Sequence, residues 1–271
     1  MKVAAYQAPL LRSGSFDALD LIRTRVAWCE AHGVAILCCP EAILGGLADD
    51  ATDPTAFAID VQGDALRTVL APLASQTVTT IVGFTELAAG RLYNAAAVLH
   101  QGTVIGVYRK LYPAINRSIY DAGDQMPVFQ IDGLTFGIVI CNDSNYLEPA
   151  RIMAAQGATA LFVPTNNALL PEKTYANLVA HARNCDIARA IENSVWVIRA
   201  DVAGQAGTLS SDGSSGIVDP NGMVRQSAAR SAEDLLVADI DTWPCERRRG
   251  WDASRNPAVV DEYVRLVSRI L

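Results

Sequence analysis

Three reactive side chains, Glu41, Lys110 and Cys141, each stand directly after an apolar run of strand character. Cys141 closes Thr135-Phe-Gly-Ile-Val-Ile-Cys141 and leads into the polar turn Asn142-Asp143-Ser144-Asn145; Glu41 follows Val34–Cys39 and Pro40; Lys110 follows Thr103–Arg109. In an α/β scaffold, groups at the carboxyl ends of strands are presented together along one end of the sheet. Gathered there, these three make a thiol nucleophile with a carboxylate base and a cationic partner. A free thiol is mostly protonated at neutral pH, so the carboxylate takes the proton. The ammonium and the backbone N–H of Asn142 then hold the oxyanion that forms when sulfur attacks a carbonyl carbon. Singly, each residue has a plainer meaning. Cys141 suits the end of a buried strand, Glu41 an exposed loop carboxylate, and Lys110 a side chain reaching for solvent. The repetition at three strand ends, with an amide and a carboxylate directly after the thiol, argues for a site.

Competing chemistries find little support. His32, His100 and His181 are far apart and none lies in a metal-ligand spacing, so a metal site has little support. His181 as the base of a Cys–His dyad would have to act from the middle of a helix. No glycine-rich phosphate loop is present, and Gly213-Ser-Ser-Gly216 lacks the spacing of a hydrolase elbow. A net charge of −7 over 271 residues argues against a nucleic-acid partner, and Arg247–Arg249 is the only dense basic run. With 51% hydrophobic and 19% charged residues there is ample material for a core, and no composition break divides the chain, so one domain over 1–271 is expected, with a tail from about 243. The opening Met-Lys-Val-Ala-Ala-Tyr-Gln has no secretory pattern and no window suits a membrane span, which reads as a soluble cytoplasmic protein. Six scattered cysteines without Cys-x-x-Cys spacing then read as reduced thiols.

The elements that must carry these residues follow from periodicity. Strands are predicted at Lys2–Gln7, Val34–Cys39, Val78–Glu86, Leu92–His100, Thr103–Arg109, up to Cys141, at Ala158–Val163, Ser194–Ala200, Ser215–Asp219, Met223–Gln226 and Leu235–Ile240. Helices are predicted at Phe16–His32, capped by Ser15 or Ser13 and closed by Gly33, at Asp64–Ser75, Glu148–Gln156 and Glu172–Glu192, with a short one in the tail. Gln101-Gly102 and Pro220-Asn221-Gly222 mark hairpins, and 111–126 reads as a loop over one end of the sheet. Helices alternating with strands early, and hairpins later, suggest a layered α/β sandwich with mixed sheets.

Seven blocks resemble the nitrilase-like carbon-nitrogen hydrolases, in the family's order: VAAYQ, CPEAILGG, YRKLYP, GIVICNDSNYLEPAR, GATALFVPT, RAIEN and GSSGIVDPNG. The resemblance covers nearly the whole chain. It implies a four-layer αββα sandwich, commonly paired into a homodimer, and a Glu41–Lys110–Cys141 triad that hydrolyses a non-peptide C–N bond through a thioester without a cofactor. Asp143, where nitrilases carry glutamate, favours amide or carbamoyl substrates over nitriles. Cys-Asn-Asp is similar to some N-carbamoyl amino acid hydrolases, and Asn145-Tyr146 with Glu148 to aliphatic amidases; a small amide is the preferred substrate. Many members place a second glutamate where this chain has Asn116, which can bind an amide but cannot act as a base. That departure keeps open a rival of another class, a weakly active homologue serving as a binding or scaffold protein. Leu44, Tyr112, Asn116, Asn142, Tyr146, Asn166 and Asn167 are expected to line the substrate pocket.

Overall fold

The computed structural model describes residues 1–47, 53–113, 118–169, 175–243 and 257–268. In chain order the elements are β1 (Lys2–Pro9), α1 (Ala18–His32), β2 (Ile36–Cys38), β3 (Ile59–Asp60), α2 (Ala65–Leu70), β4 (Thr79–Ala88), β5 (Arg91–His100), β6 (Thr103–Arg109), β7 (Val128–Ile131) and β8 (Leu134–Ile138). They continue with α3 (Leu147–Ala155), β9 (Ala160–Pro164), α4 (Tyr175–Asn193), β10 (Trp196–Ala200), β11 (Val202–Ala206), β12 (Leu209–Ser211), β13 (Gly216–Val218), β14 (Val224–Ser227), β15 (Asp234–Asp239) and α5 (Pro257–Val267).

Two mixed sheets form. In the larger, the path runs β12-β11-β1-β2-β4-β5-β6, with β15 beside β1 and β3 beside β4; in the smaller it runs β14-β13-β10-β9-β8-β7. Alternation along β1 explains the layering. Val3 and Ala5 face a core shared with Phe136, Ile138 and Phe162 of the smaller sheet, whereas Ala4 and Tyr6 face a second core with Ile22, Val26 and Cys29 of α1. On the other side, Ala150 and Met153 of α3 and Ala190 of α4 pack against the smaller sheet. Helices, sheet, sheet and helices make the αββα sandwich. Among the described residues no helix is long and apolar enough to cross a membrane.

Local differences from the sequence expectations have local causes. Helix α1 starts without a side-chain cap; Ser15 Oγ instead accepts the backbone N–H of Asp17 at 3.0 Å, while Gly33 ends the helix in the left-handed region as expected. The helix expected through Ser75 gives way to a 3-10 turn at Ala71–Leu73, since Pro72 has no N–H to continue it. Strand β8 stops at Ile138 rather than running to the cysteine, and it forms an unanticipated hairpin with β7 around Asp132-Gly133. The first residues of the helix expected from Glu172, together with Asn116, Arg247–Arg249, Trp251 and Cys245, lie outside the described residues.

Candidate active site

Glu41, Lys110 and Cys141 reach the site by three different local devices. The Glu41 turn lies on β4: a Cβ on Gly83 would stand 2.4 Å from both Ala42 N and Pro40 O, so only glycine lets the two backbones approach. Ala42 takes φ 45°, and Leu44 N–H donates to Gly83 O at 3.1 Å, which fixes the turn. Lys110 is held by its backbone, its N–H donating to Asn94 O and its carbonyl accepting Gly123 N–H, both at 2.8 Å. Cys141 opens the 3-10 turn Cys141–Asn145 with φ 45°, a left-handed conformation that costs a non-glycine residue free energy and needs support from its surroundings.

That support comes from Asp143, which is fully buried. Its carboxylate accepts the N–H of Ile140 at 3.0 Å, the Tyr108 hydroxyl at 2.7 Å and the N–H of Tyr112 at 2.8 Å. One side chain thereby joins the cysteine turn to β6 and to the segment after Lys110. Burial raises the Asp143 carboxyl above its ordinary range; Lys110, the Tyr108 hydroxyl and the two backbone N–H groups oppose the rise. Behind the turn, Ser144 Oγ donates to Cys141 O at 2.7 Å.

Glu41 and Lys110 are in direct contact in a buried setting. Lys110 Nζ donates to Glu41 Oε1 at 2.6 Å, Asn94 Nδ2 donates to the same oxygen at 2.7 Å, and Asn166 N–H donates to Oε2 at 2.8 Å. Burial works against the Lys110 charge, but Glu41, Cys141 and Asp143 outweigh it and the ammonium is held above its ordinary range. Burial and then the Glu41 charge push the Cys141 thiol up to about 12, against the opposite pull of Lys110 and Arg199. The resting site therefore holds an ammonium bonded to Glu41 beside a neutral thiol. Cys141 is only half-buried, unlike Cys29, Cys38 and Cys39.

The expected lining residues divide. Asn142 is turned aside, its Nδ2 donating to Tyr112 O at 3.1 Å. Tyr112 and Tyr146 stack with ring centroids 3.6 Å apart and planes 11° from parallel. Asn166 serves the site through its backbone, while its Oδ1 accepts the N–H of Ala168 at 3.2 Å. Leu44 is fully buried core. His181 meets Asn145 Oδ1 at 3.2 Å and Cys185 Sγ at 3.7 Å, which is not the dyad with Cys141 weighed from the sequence. Asn94 and the roles of Asp143, Arg199 and Asp201 were missed; an isolated polar residue within an apolar strand, as in Leu92-Tyr-Asn-Ala-Ala-Ala-Val98, is the signal that marks Asn94.

The carbon-nitrogen hydrolase family profile matches residues 2–249. The chain belongs to the carbon-nitrogen hydrolases. This hydrolase is 30% identical over 238 residues to an (R)-stereoselective amidase of a Pseudomonas species, covering 85% of this chain and 83% of that one. A glutamine-dependent NAD(+) synthetase of Xylella fastidiosa is 29% identical over 220 residues, 78% of this chain but 38% of that longer one. Among solved structures, an amidase from Nesterenkonia sp. AN1 superposes with a TM-score of 0.72 at 25% identity, covering 92% of the hydrolase and 97% of the amidase.

Under the cysteine turn of the hydrolase runs a buried ion pair. Arg199 donates from Nη2 to Asp186 Oδ1 at 2.6 Å and from Nε to Oδ2 at 2.9 Å, and also reaches Thr165 Oγ1 at 2.7 Å and Ser144 Oγ at 2.8 Å. Replacing Arg199 with methionine leaves the Asp186 carboxylate buried with, among the described residues, only Arg183 Nη1, 3.5 Å away. The expected loss is about 3–5 kcal/mol, measured by urea unfolding, with most of it recovered in the double variant Arg199→Met/Asp186→Leu. A double variant no better than the single one would show that packing, not the stranded charge, sets the loss.

Proposed function

We propose that this carbon-nitrogen hydrolase cleaves a small linear amide by covalent catalysis at Cys141. The observation that carries the reading is the contact of Glu41 and Lys110 beside a half-buried thiol whose ionisation responds to both. Sulfur attacks the amide carbonyl carbon as the S–H proton passes to Glu41, forming a C–S bond. Lys110 and the N–H of Asn142 balance the oxyanion. Glu41 returns the proton to the departing nitrogen, the C–N bond breaks, and ammonia or an amine leaves a thioester. Water then attacks that thioester, giving one proton to Glu41, which passes it to the sulfur as the C–S bond breaks, so that the carboxylic acid leaves and the thiol and Glu41 are restored. Because the thiol is held neutral, proton transfer must accompany attack rather than precede it.

Two relatives are in keeping with an amide substrate, one named an (R)-stereoselective amidase and one an amidase. A glutamate-to-glutamine mutant of the Nesterenkonia amidase carries acrylamide added at its active-site cysteine. The test is ammonia release from a panel of small amides, N-carbamoyl amino acids and nitriles, with intact-mass detection of an acyl adduct. Turnover of amides with an adduct on Cys141 is expected. Preference for carbamoyl compounds would move the substrate class, and no turnover of any member would leave a binding or scaffold protein. The proposal includes a homodimer, for which exposed Ile152 of α3 and Ile191 of α4 offer apolar surface, measurable by light scattering.

A further inference from the structure

Asn167 stands with Oδ1 3.7 Å from Cys141 Sγ. Which end of an amide meets a neighbour is settled by what its other end must bond. Asn167 Nδ2 donates to Asp201 Oδ2 and to Ser214 Oγ, each at 3.0 Å, and the Ser214 hydroxyl spends its own hydrogen on Asp201 Oδ2 at 2.6 Å. Both groups facing Nδ2 are acceptors. Turning the amide over would set its carbonyl oxygen against a carboxylate. Asp201 is itself fixed, accepting backbone N–H groups of Asn167 at 3.1 Å, Val202 at 2.8 Å and Ser214 at 2.9 Å. The end of Asn167 that meets the sulfur is therefore its oxygen, which can only accept. Glu41, by contrast, already takes three donors on its two oxygens.

We infer that Asn167 holds the resting nucleophile, accepting the Cys141 S–H through Oδ1 and so keeping the sulfur protonated and in one rotamer until substrate arrives and the proton passes to Glu41. This rests on the reading of Cys141 as the nucleophile. It also removes Asn167 from the oxyanion donors, because both hydrogens of Nδ2 are spent on Asp201 and Ser214. The charged groups bearing on the sulfur are Glu41 after β2, Lys110 after β6, Arg199 in β10 and Asp201 between β10 and β11. Changing Asn167 deletes none of them.

A hydrogen bond accepted from the neutral thiol stabilises that form against ionisation. Asn167→Leu keeps the branched shape without the acceptor, and Asp201 retains its backbone donors and Ser214. The readout is iodoacetamide alkylation of Cys141 against pH, followed by peptide mass spectrometry. The midpoint is expected to move down, with alkylation about tenfold faster than in the unaltered protein at a fixed pH below it. An unmoved or raised midpoint overturns the inference. This measurement needs no turnover: failure to hydrolyse any amide would sink the nucleophile reading, whereas an active enzyme with an unmoved midpoint in Asn167→Leu sinks only the role of Asn167. Should that variant not fold, the intact protein still decides. In the infrared difference between it and Cys141→Ala, the S–H stretch is expected at the hydrogen-bonded end of its range, and a free-thiol position overturns the inference.

Discussion

Ammonia release is expected to vanish in Cys141→Ala, with a loss on the order of 10⁴-fold or more, since removing a covalent nucleophile leaves only binding and oxyanion stabilisation. The fold should survive. The side-chain bond of Cys141 is the long contact to Asn167, the residue is half-buried, and alanine meets the left-handed backbone with no more strain than cysteine. Asp143 and Ser144, which hold the turn, are untouched by the change. Thermal unfolding within a few degrees of the unaltered protein, together with no ammonia from any amide on the panel, is the expected pair of results. Turnover persisting in Cys141→Ala would move the nucleophile elsewhere, and a collapsed unfolding temperature would make the cysteine structural.

How much of this was legible in the sequence depends on where each residue's partner lies. Glu41, Lys110 and Cys141 were legible because each interrupts an apolar run at its end, where local pattern predicts polarity to resume. The turn at Gln101-Gly102 was legible for the same local reason, with φ 48° and 74° as the hairpin requires. Asp132-Gly133, with φ 46° and 84°, carries the same kind of signal between Val128–Ile131 and Leu134–Ile138. The supports of the site are another matter. Arg199 sits inside Trp-Val-Ile-Arg-Ala and finds Asp186 on a helix and Ser144 on a turn 55 positions away. Asp201 orients Asn167 from a strand junction in the other half of the site. Nothing within a few residues of either announces a partner, because such pairs are decided by how helix, turn and loops pack around β10. Asp143 lies between the cases: its place after the thiol marked it as polar, but its bonds to Tyr108 and Tyr112 are tertiary.

Glu41→Gln separates the proposed duty of the carboxylate as base from its contact with Lys110. Three donors converge on Glu41: Lys110 Nζ and Asn94 Nδ2 on one oxygen, Asn166 N–H on the other. Glutamine offers one carbonyl oxygen. If that oxygen faces Lys110 and Asn94, the new amide hydrogens confront the N–H of Asn166; the reverse arrangement confronts two donors at once. Either way the proton acceptor is lost, and kcat is expected to fall by about 10²–10⁴-fold. The thiol should respond in the opposite direction. Burial and the Glu41 charge together hold it at about 12, so without that charge Lys110 and Arg199 pull it down and Cys141 ionises at lower pH. Acrylamide or iodoacetamide should therefore label Cys141 faster in Glu41→Gln than in the unaltered protein, at any pH below the thiol midpoint, even as amide turnover collapses. A parallel fall in labelling and turnover would mean that Glu41 only maintains the architecture, and retained turnover would give the base role to another group. A more reactive thiol in a less active enzyme is the combination that a proton-shuttling carboxylate predicts.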